Sequence, residues 1–230
     1  MKLVILLLIF QVFSALAQAR MPYGLIRVDV DDLRPTQMNV GMFEVDRKAA
    51  KIGAFSREER HEYLRENFIP VVVGPKGNLY ILDHHHQARA VLESGYRRVY
   101  IKIVADLSHM PKQEFWKEMT SRGYVYLKDT EGNDIDSDQL PKKIEKLGDD
   151  LYRSIAGAVR RRGGFVKDMT PFAEFKWADF FRKHIFFDGK VTKATFKQSV
   201  DKAMELVNSE EAKDLPGYRL QCRMILLNNG

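Results

Sequence analysis

Apolar and polar positions alternate over residues 25–30 (Leu-Ile-Arg-Val-Asp-Val), the period-2 signature of a half-buried strand. Residues 31–37 read as a loop, because Pro35 biases Arg34 away from helical backbone. A charged, broadly helical stretch covers 44–67, with a break near Gly53 and a fresh N-cap at Ser56, three residues before Glu59. The β-branched run 69–73, the turn residues Gly74-Pro75-Lys76-Gly77-Asn78 and a second apolar run over 79–82 predict a hairpin. From His85 the period becomes helical, with Ala88, Val91 and Leu92 on one face, and Gly95 is placed to stop that helix where positive φ is cheap only for glycine. A strand over 98–104, a helix over 111–121 and a strand-like piece over 124–127 follow.

Beyond about Asp136 the pattern is mostly helical. Residues 141–160 carry apolar side chains at Ile144, Leu147, Leu151, Tyr152, Ile155, Ala156 and Val159, with Gly148 as a break. Thr170-Pro171 reads as an N-cap followed by proline at the first helical position, opening a helix that holds Phe172, Phe175, Trp177 and Phe181. Residues 192–207 place Phe196, Val200, Ala203, Met204 and Val207 at helical spacing, and 218–224 alternate weakly like a strand. The predicted class is α+β: a small mixed sheet with helices over residues 20–136, then a helical portion over 137–230 packed on it.

Composition changes the picture in three ways. With 230 residues, 45% hydrophobic and 30% charged, the chain can bury a solid core, which excludes a disordered, collagen-like or polytopic membrane protein. A formal charge of +6, with both signs mixed along the chain, permits a phosphate or nucleic-acid partner without demanding one. The single cysteine, Cys222, excludes an intramolecular disulfide and a Cys-based zinc site. The first segment, MKLVILLLIFQVFSALAQAR, has a Lys2 n-region, a short apolar run and Ala-x-Ala ends, the layout of a signal peptide over residues 1–19. The expectation is an exported protein, periplasmic or secreted, with no transmembrane segment after cleavage.

The chemistry is concentrated where the hairpin meets the following helix, at Asp83-His84-His85-His86. A helix N-terminus offers unpaired N–H groups and the positive end of the dipole, so it attracts anions. Imidazoles there can donate to phosphate or move protons near neutral pH. Asp83 can orient one ring or carry a metal, and it can equally be a plain N-cap. Arg89, one turn further on, can close over a phosphate with a bidentate fork. Successive residues lie about 100° apart on a helix, so at most two of the three rings can face one ligand. The run by itself is therefore a poor three-His metal site, and a divalent metal as cofactor would need ligands from elsewhere. Arg160-Arg161-Arg162 with Gly163-Gly164 can grip phosphate, but a helix C-terminus satisfied by positive charge explains the run as well and is preferred. The aromatic set 172–181 reads as core, and Asp149, Asp150, Tyr152 and Arg153 as ties between the helical half and the sheet.

The run 28–37 (Val-Asp-Val-Asp-Asp-Leu-Arg-Pro-Thr-Gln), Val40-Gly41, Pro70-Val71-Val72-Val73-Gly74 with Gly77, and Leu82-Asp83-His84-His85-His86 together resemble the ParB-like nuclease family of the ParB/sulfiredoxin fold. Asp149-Asp150-Leu151-Tyr152-Arg153-Ser154, residues 160–164 and Glu174-Phe175-Lys176-Trp177-Ala178-Asp179-Phe180 extend the resemblance through most of the chain after residue 19. It implies a phosphate-handling loop at the helix start after the hairpin, with the Arg34-Pro35-Thr36-Gln37 loop beside it. Thr36 and Gln37 are then substrate or phosphate contacts, or a capped turn. Sulfiredoxins carry a cysteine in that loop and partitioning ParB proteins an arginine-rich box. This chain has histidines, and export conflicts with chromosome segregation.

Two functions of different class follow. One is an exported nuclease or other phosphate-ester hydrolase, with His84, His85 or His86 as acid or base, Asp83 as orienter or metal ligand, and Arg34 with Arg89 as the charge clamp. In that reading His85→Ala abolishes activity and spares the fold. The other is a non-catalytic nucleotide-, anion- or metal-binding protein using the same pocket. The fold resemblance adds a phosphotransferase, against which export argues.

Overall fold

The computed structural model describes residues 24–219. The segment expected to be a signal peptide, and all of the weak alternation over 218–224 except Tyr218 and Arg219, lie outside the described residues. Strands β1 (Ile26–Asp29), β2 (Leu33–Arg34), β4 (Ile69–Val73), β5 (Leu79–Ile81) and β6 (Arg98–Asp106) form a five-stranded sheet in the order β1-β6-β4-β5-β2. The sheet is mixed. β1–β6 and the β4–β5 hairpin are antiparallel, while β4–β6 and β2–β5 are parallel. The α+β class is confirmed.

Helices α1 (Met42–Ala54), α2 (Arg57–Glu66), α3 (His85–Glu93) and α4 (Lys112–Ser121) flank this sheet. Ser56 caps α2 through the reciprocal Ser56–Glu59 box that the sequence predicted. α1 continues through Gly53 to Ala54, so the break falls at Phe55, just before that stronger cap. α3 ends as predicted: Gly95 sits at φ 80°, and the Gly95 and Tyr96 amides return to Leu92 and Val91 carbonyls in a Schellman arrangement.

Four expectations are corrected. Leu33 and Arg34, read as loop, form β2, because β5 supplies a parallel partner that no local pattern reveals. Residues 141–160 are not one interrupted helix. A 3-10 turn at Ile144–Lys146 leads into β7 (Gly148–Asp149), which pairs in parallel with β3 (Asn39–Val40), and α5 (Leu151–Arg161) starts only at Leu151. Thr170 does not cap the next helix, α6 (Ala173–His184). Its N-cap is Phe172, in left-handed backbone at φ 59°. The strand-like piece over 124–127 contributes only a bridge between Tyr126 and Gln37. α7 (Lys193–Leu206) falls within the predicted helical stretch 192–207, with Thr192 as its N-cap.

Three apolar clusters hold these elements. One fills the sheet face under α1 and α3 and takes in Ile144 and Leu147. A second packs α4 against the other face around Phe115 and Met119. The third joins α5, α6 and α7 around Trp177, Phe181 and Phe165, and the Trp177 indole N–H donates to the Pro216 carbonyl at 2.8 Å. Apolar burial on this scale is the main favourable contribution to folding. The sheet-bearing and helical parts interlock through the β3–β7 pair. Asp149 Oδ1 accepts the Met42 amide at 2.9 Å, and Ser154 Oγ accepts the Phe43 amide at 3.2 Å. Among the described residues no helix is long and apolar enough to cross a membrane.

Candidate functional site: a cationic cleft between two helix N-termini

The hairpin delivers the chain to Asp83, whose Oδ1 accepts the His84 amide at 2.6 Å. His84 itself, not Asp83, is the N-cap of α3, and it adopts left-handed backbone at φ 66°. That conformation costs a non-glycine residue roughly 1–2 kcal/mol, and such strain gathers at functional sites. His84 and Phe172 are two of the three non-glycine residues with positive φ among the described residues, and both border the same cleft. That cleft has a volume of ≈ 530 Å³ and opens where the first turns of α3 and α6 converge on α5. The positive dipole ends of two helices therefore border one space.

The three histidines divide. His85 is buried and does not border the cleft. Its Nε2 accepts the Thr36 amide at 3.0 Å, so the neutral ring carries its proton on Nδ1. Burial pushes its pKa down to about 3. His86 borders the cleft, but its Nε2 accepts the Gly41 amide at 3.0 Å, and burial together with the Arg153 charge holds it well below the usual histidine range. These two rings pin the 36–41 loop onto the start of α3 as neutral acceptors. His84 borders the cleft, and its buried Nδ1 has no hydrogen-bond partner among the described residues.

This arrangement makes the fold acid-sensitive. In the unfolded chain both pinning rings protonate near 6.5, whereas in the folded chain they resist. The stabilisation is complete above that value and is lost as pH falls toward the folded pKa of about 3 for His85. Urea denaturation is expected to show stability flat above pH 7 and falling below 6.5, by up to about 1.4 kcal/mol per pH unit for each ring. His85→Gln, which keeps an acceptor for Thr36, should roughly halve the slope of that limb, leaving the part due to His86. An unchanged slope would remove His85 from the account.

Of the other predicted site residues, Gln37 borders the cleft with its amide fixed on the Asn39 carbonyl at 2.6 Å. Thr36 is fully buried, and its hydroxyl donates to the Ile81 carbonyl at 2.7 Å. Arg34 turns away to Asn78 Oδ1 at 2.8 Å in the hairpin turn. Arg89 binds Glu93 and donates to the Glu145 and Leu147 carbonyls at 3.0 and 2.9 Å. It fastens the 144–147 turn and does not reach the cleft, so the expected Arg34–Arg89 clamp does not form. Asp83, His84, His86 and Gln37 are brought together; His85, Thr36, Arg34 and Arg89 are not.

The cations come from elements that the sequence reading assigned otherwise. Arg153, Arg160 and Arg161 of α5 border the cleft, with Lys48 of α1 opposite. Arg161 pairs with Glu44, and Arg160 Nη1 is 3.1 Å from Glu174 Oε1. Burial raises the pKa of Glu44, but its bond to Arg47 and the charge of Arg161 outweigh this and hold it below the usual range. Arg153 is the least satisfied of the set. Its side chain is 13% exposed, its Nε has no hydrogen-bond partner among the described residues, and its contact with Glu174 Oε2 is 3.7 Å long. It rests over the Phe175 ring, 5.3 Å from the centroid. Counting all lining side chains, six cations face four carboxylates, so the space favours an anion.

Asp150 explains how α5 is held in place. Its Oδ1 caps the Tyr152 and Arg153 amides, and its Oδ2 binds Arg182 at 2.8 Å. The predicted tie between the halves thus holds for Asp149, and for Asp150 through its amide on the Val40 carbonyl at 2.8 Å; the Tyr152 hydroxyl instead reaches the Ile185 carbonyl within the helical half, and Arg153 faces the cleft. No group of three His, Cys, Asp or Glu side chains able to hold a metal occurs among the described residues. The ring nitrogens of His85 and His86 that a metal would need already accept backbone N–H groups.

A mixed sheet whose hairpin runs into a helix beside a cation-lined cleft has the α+β architecture that the residue pattern suggested. The chain belongs to the family described as "Putative ParB-like nuclease", whose model matches residues 26–183. It is similar to the crystal structure of protein Atu1540 from Agrobacterium tumefaciens, at 39% identity and a TM-score of 0.76, over 85% of this chain and 98% of that one. Comparison with curated proteins finds no match.

Proposed function

We propose that this cleft binds the phosphate group of a phosphate ester, such as a nucleotide or a nucleic-acid strand. The observation that carries this reading is Arg153. A guanidinium held largely out of water with an unpartnered N–H is costly, and an entering phosphate satisfies it with charge-assisted bonds. The two helix N-termini add to the same attraction. Titration calorimetry with inorganic phosphate, a nucleoside monophosphate and a short oligonucleotide tests it. Heat of binding with at least one of them is expected, weakening as salt rises. Silence with all three would end the proposal.

Hydrolysis of the bound ester is the second reading, favoured by His84. It is the histidine of the run whose ring makes no hydrogen bond among the described residues, and it stands at the strained cap of α3. Its role would be general acid or base, with Asp83 and Gln37 positioning neighbouring backbone. Glycine adopts the same left-handed backbone freely. His84→Gly is therefore expected to cut turnover on DNA, RNA or nucleotide substrates by about 100-fold or more, with the melting temperature unchanged or higher. No turnover by the wild-type chain with any of them, with or without divalent cations, would leave binding as the function. The reading of residues 1–19 as a signal peptide is proposed with it. N-terminal sequencing of the protein recovered from outside the cytoplasm should begin at Arg20.

A further inference from the structure

Glu174 stands at the second position of α6, in the first turn of the helix whose N-terminus faces the cleft. Its two oxygens reach different arginines of α5: Oε1 lies 3.1 Å from Arg160 Nη1, and Oε2 lies 3.7 Å from Arg153 Nη2. The first distance is a close ion pair; the second is too long for a hydrogen bond. The carboxylate is 23% exposed, so it sits inside the cleft mouth and not out in water. A carboxylate against a helix N-terminus and between two guanidiniums has the surroundings that a phosphate group seeks.

We infer that Glu174 is an internal competitor for the cleft's anion. It holds Arg160 and partly neutralises Arg153 while the site is empty, and an entering phosphate takes its place between them. The inference rests on the phosphate-binding reading above and adds a specificity consequence. A singly charged anion gains little over the resident carboxylate, whereas a dianionic phosphate group gains a second charge. The site therefore selects phosphate monoesters and terminal phosphates over carboxylates and halides. Glu44 is held differently, by two bonds from Arg47 on its own helix in addition to its pair with Arg161.

The test is the inorganic-phosphate dependence of the melting temperature of the full chain, with sodium chloride at matched ionic strength as the control. Glu174→Gln is expected to bind phosphate about tenfold more tightly than wild type and to show a larger phosphate-dependent shift. It should also tolerate chloride, acetate and phosphate with less discrimination. In the Arg160→Gln background the gain from Glu174→Gln should vanish, which a general loosening of the fold would not produce. Should Glu174→Gln be unstable alone, phosphate and not chloride must restore its folding. A phosphate shift in the wild type that does not grow in Glu174→Gln overturns this inference and leaves the binding reading standing. No shift in either protein overturns this inference, and the binding reading falls with it when a nucleoside monophosphate and a short oligonucleotide also give no heat of binding.

Discussion

Gly41→Ala is expected to abolish the folded state or lower its stability by about 3 kcal/mol or more, at the upper end of overpacking costs. Backbone strain is not the reason: Gly41 caps α1 at φ −86°, a conformation open to any residue. The reason is proximity. A Cβ built there would lie 2.5 Å from Ser154 Oγ, 2.6 Å from its amide nitrogen and 2.8 Å from its Cα. Two of those atoms are backbone of α5 and cannot rotate away, so α1 and α5 would have to separate. Parting them would stretch the Phe43–Ser154 bond, the Met42–Asp149 bond and the Gly41–His86 bond together. Chemical denaturation followed by tryptophan fluorescence reads the loss, Trp177 lying in the helical core and Trp116 on α4. A stability within 1 kcal/mol of wild type would show that the helices can move apart cheaply.

Arg153→Gln should have the opposite signature. The amide keeps a donor but loses the charge and the fork, so phosphate affinity is expected to fall by about 10- to 100-fold, the worth of a charge-assisted bond. Stability should hold or rise, because removing a poorly paired buried charge relieves its desolvation cost. Burial already pushes this guanidinium below its ordinary pKa, with Glu174 opposing, the direction expected of a cation held out of water. Calorimetric titration with phosphate, alongside thermal melting without it, separates the two effects. Retained affinity would move the anion site elsewhere in the cleft. A collapse in stability would make Arg153 a structural cation.

The local code carried much of the fold. Ser56 with Glu59, and Gly95, each fix an element end by chemistry confined to a few residues, and the structure has both where the sequence puts them. β2, β3 and β7 escaped, because two-residue strands have no period to read and exist only through partners, at 79–80 for β2 and across 39–148 for the β3–β7 pair. Phe172 escaped as a cap because the Thr170-Pro171 signal is a stronger local pattern than a left-handed phenylalanine, which tertiary packing imposes.

The cleft was half legible. The Asp83–His86 turn marks its position, but the resident chemistry lies on α5. There Arg153, Gly157, Arg160 and Arg161 fall at i, i+4, i+7 and i+8, one helical face. That stripe was available in the sequence and was obscured by reading 160–162 as a cationic helix end. The split among the three histidines was not available. Their roles depend on the 36–41 loop, whose amides reach His85 and His86 across 49 and 45 residues of chain.

The β3–β7 pairing also sets when the cleft can come into being. Asn39 waits for Gly148 and Gly41 for Ser154, and α6 closes the far wall only past residue 173. A growing polypeptide that has finished its sheet still lacks every arginine that lines the cleft. Ligand competence is therefore expected to switch on abruptly late in synthesis, giving a nascent chain no half-built anion trap to expose to the abundant phosphates around a ribosome.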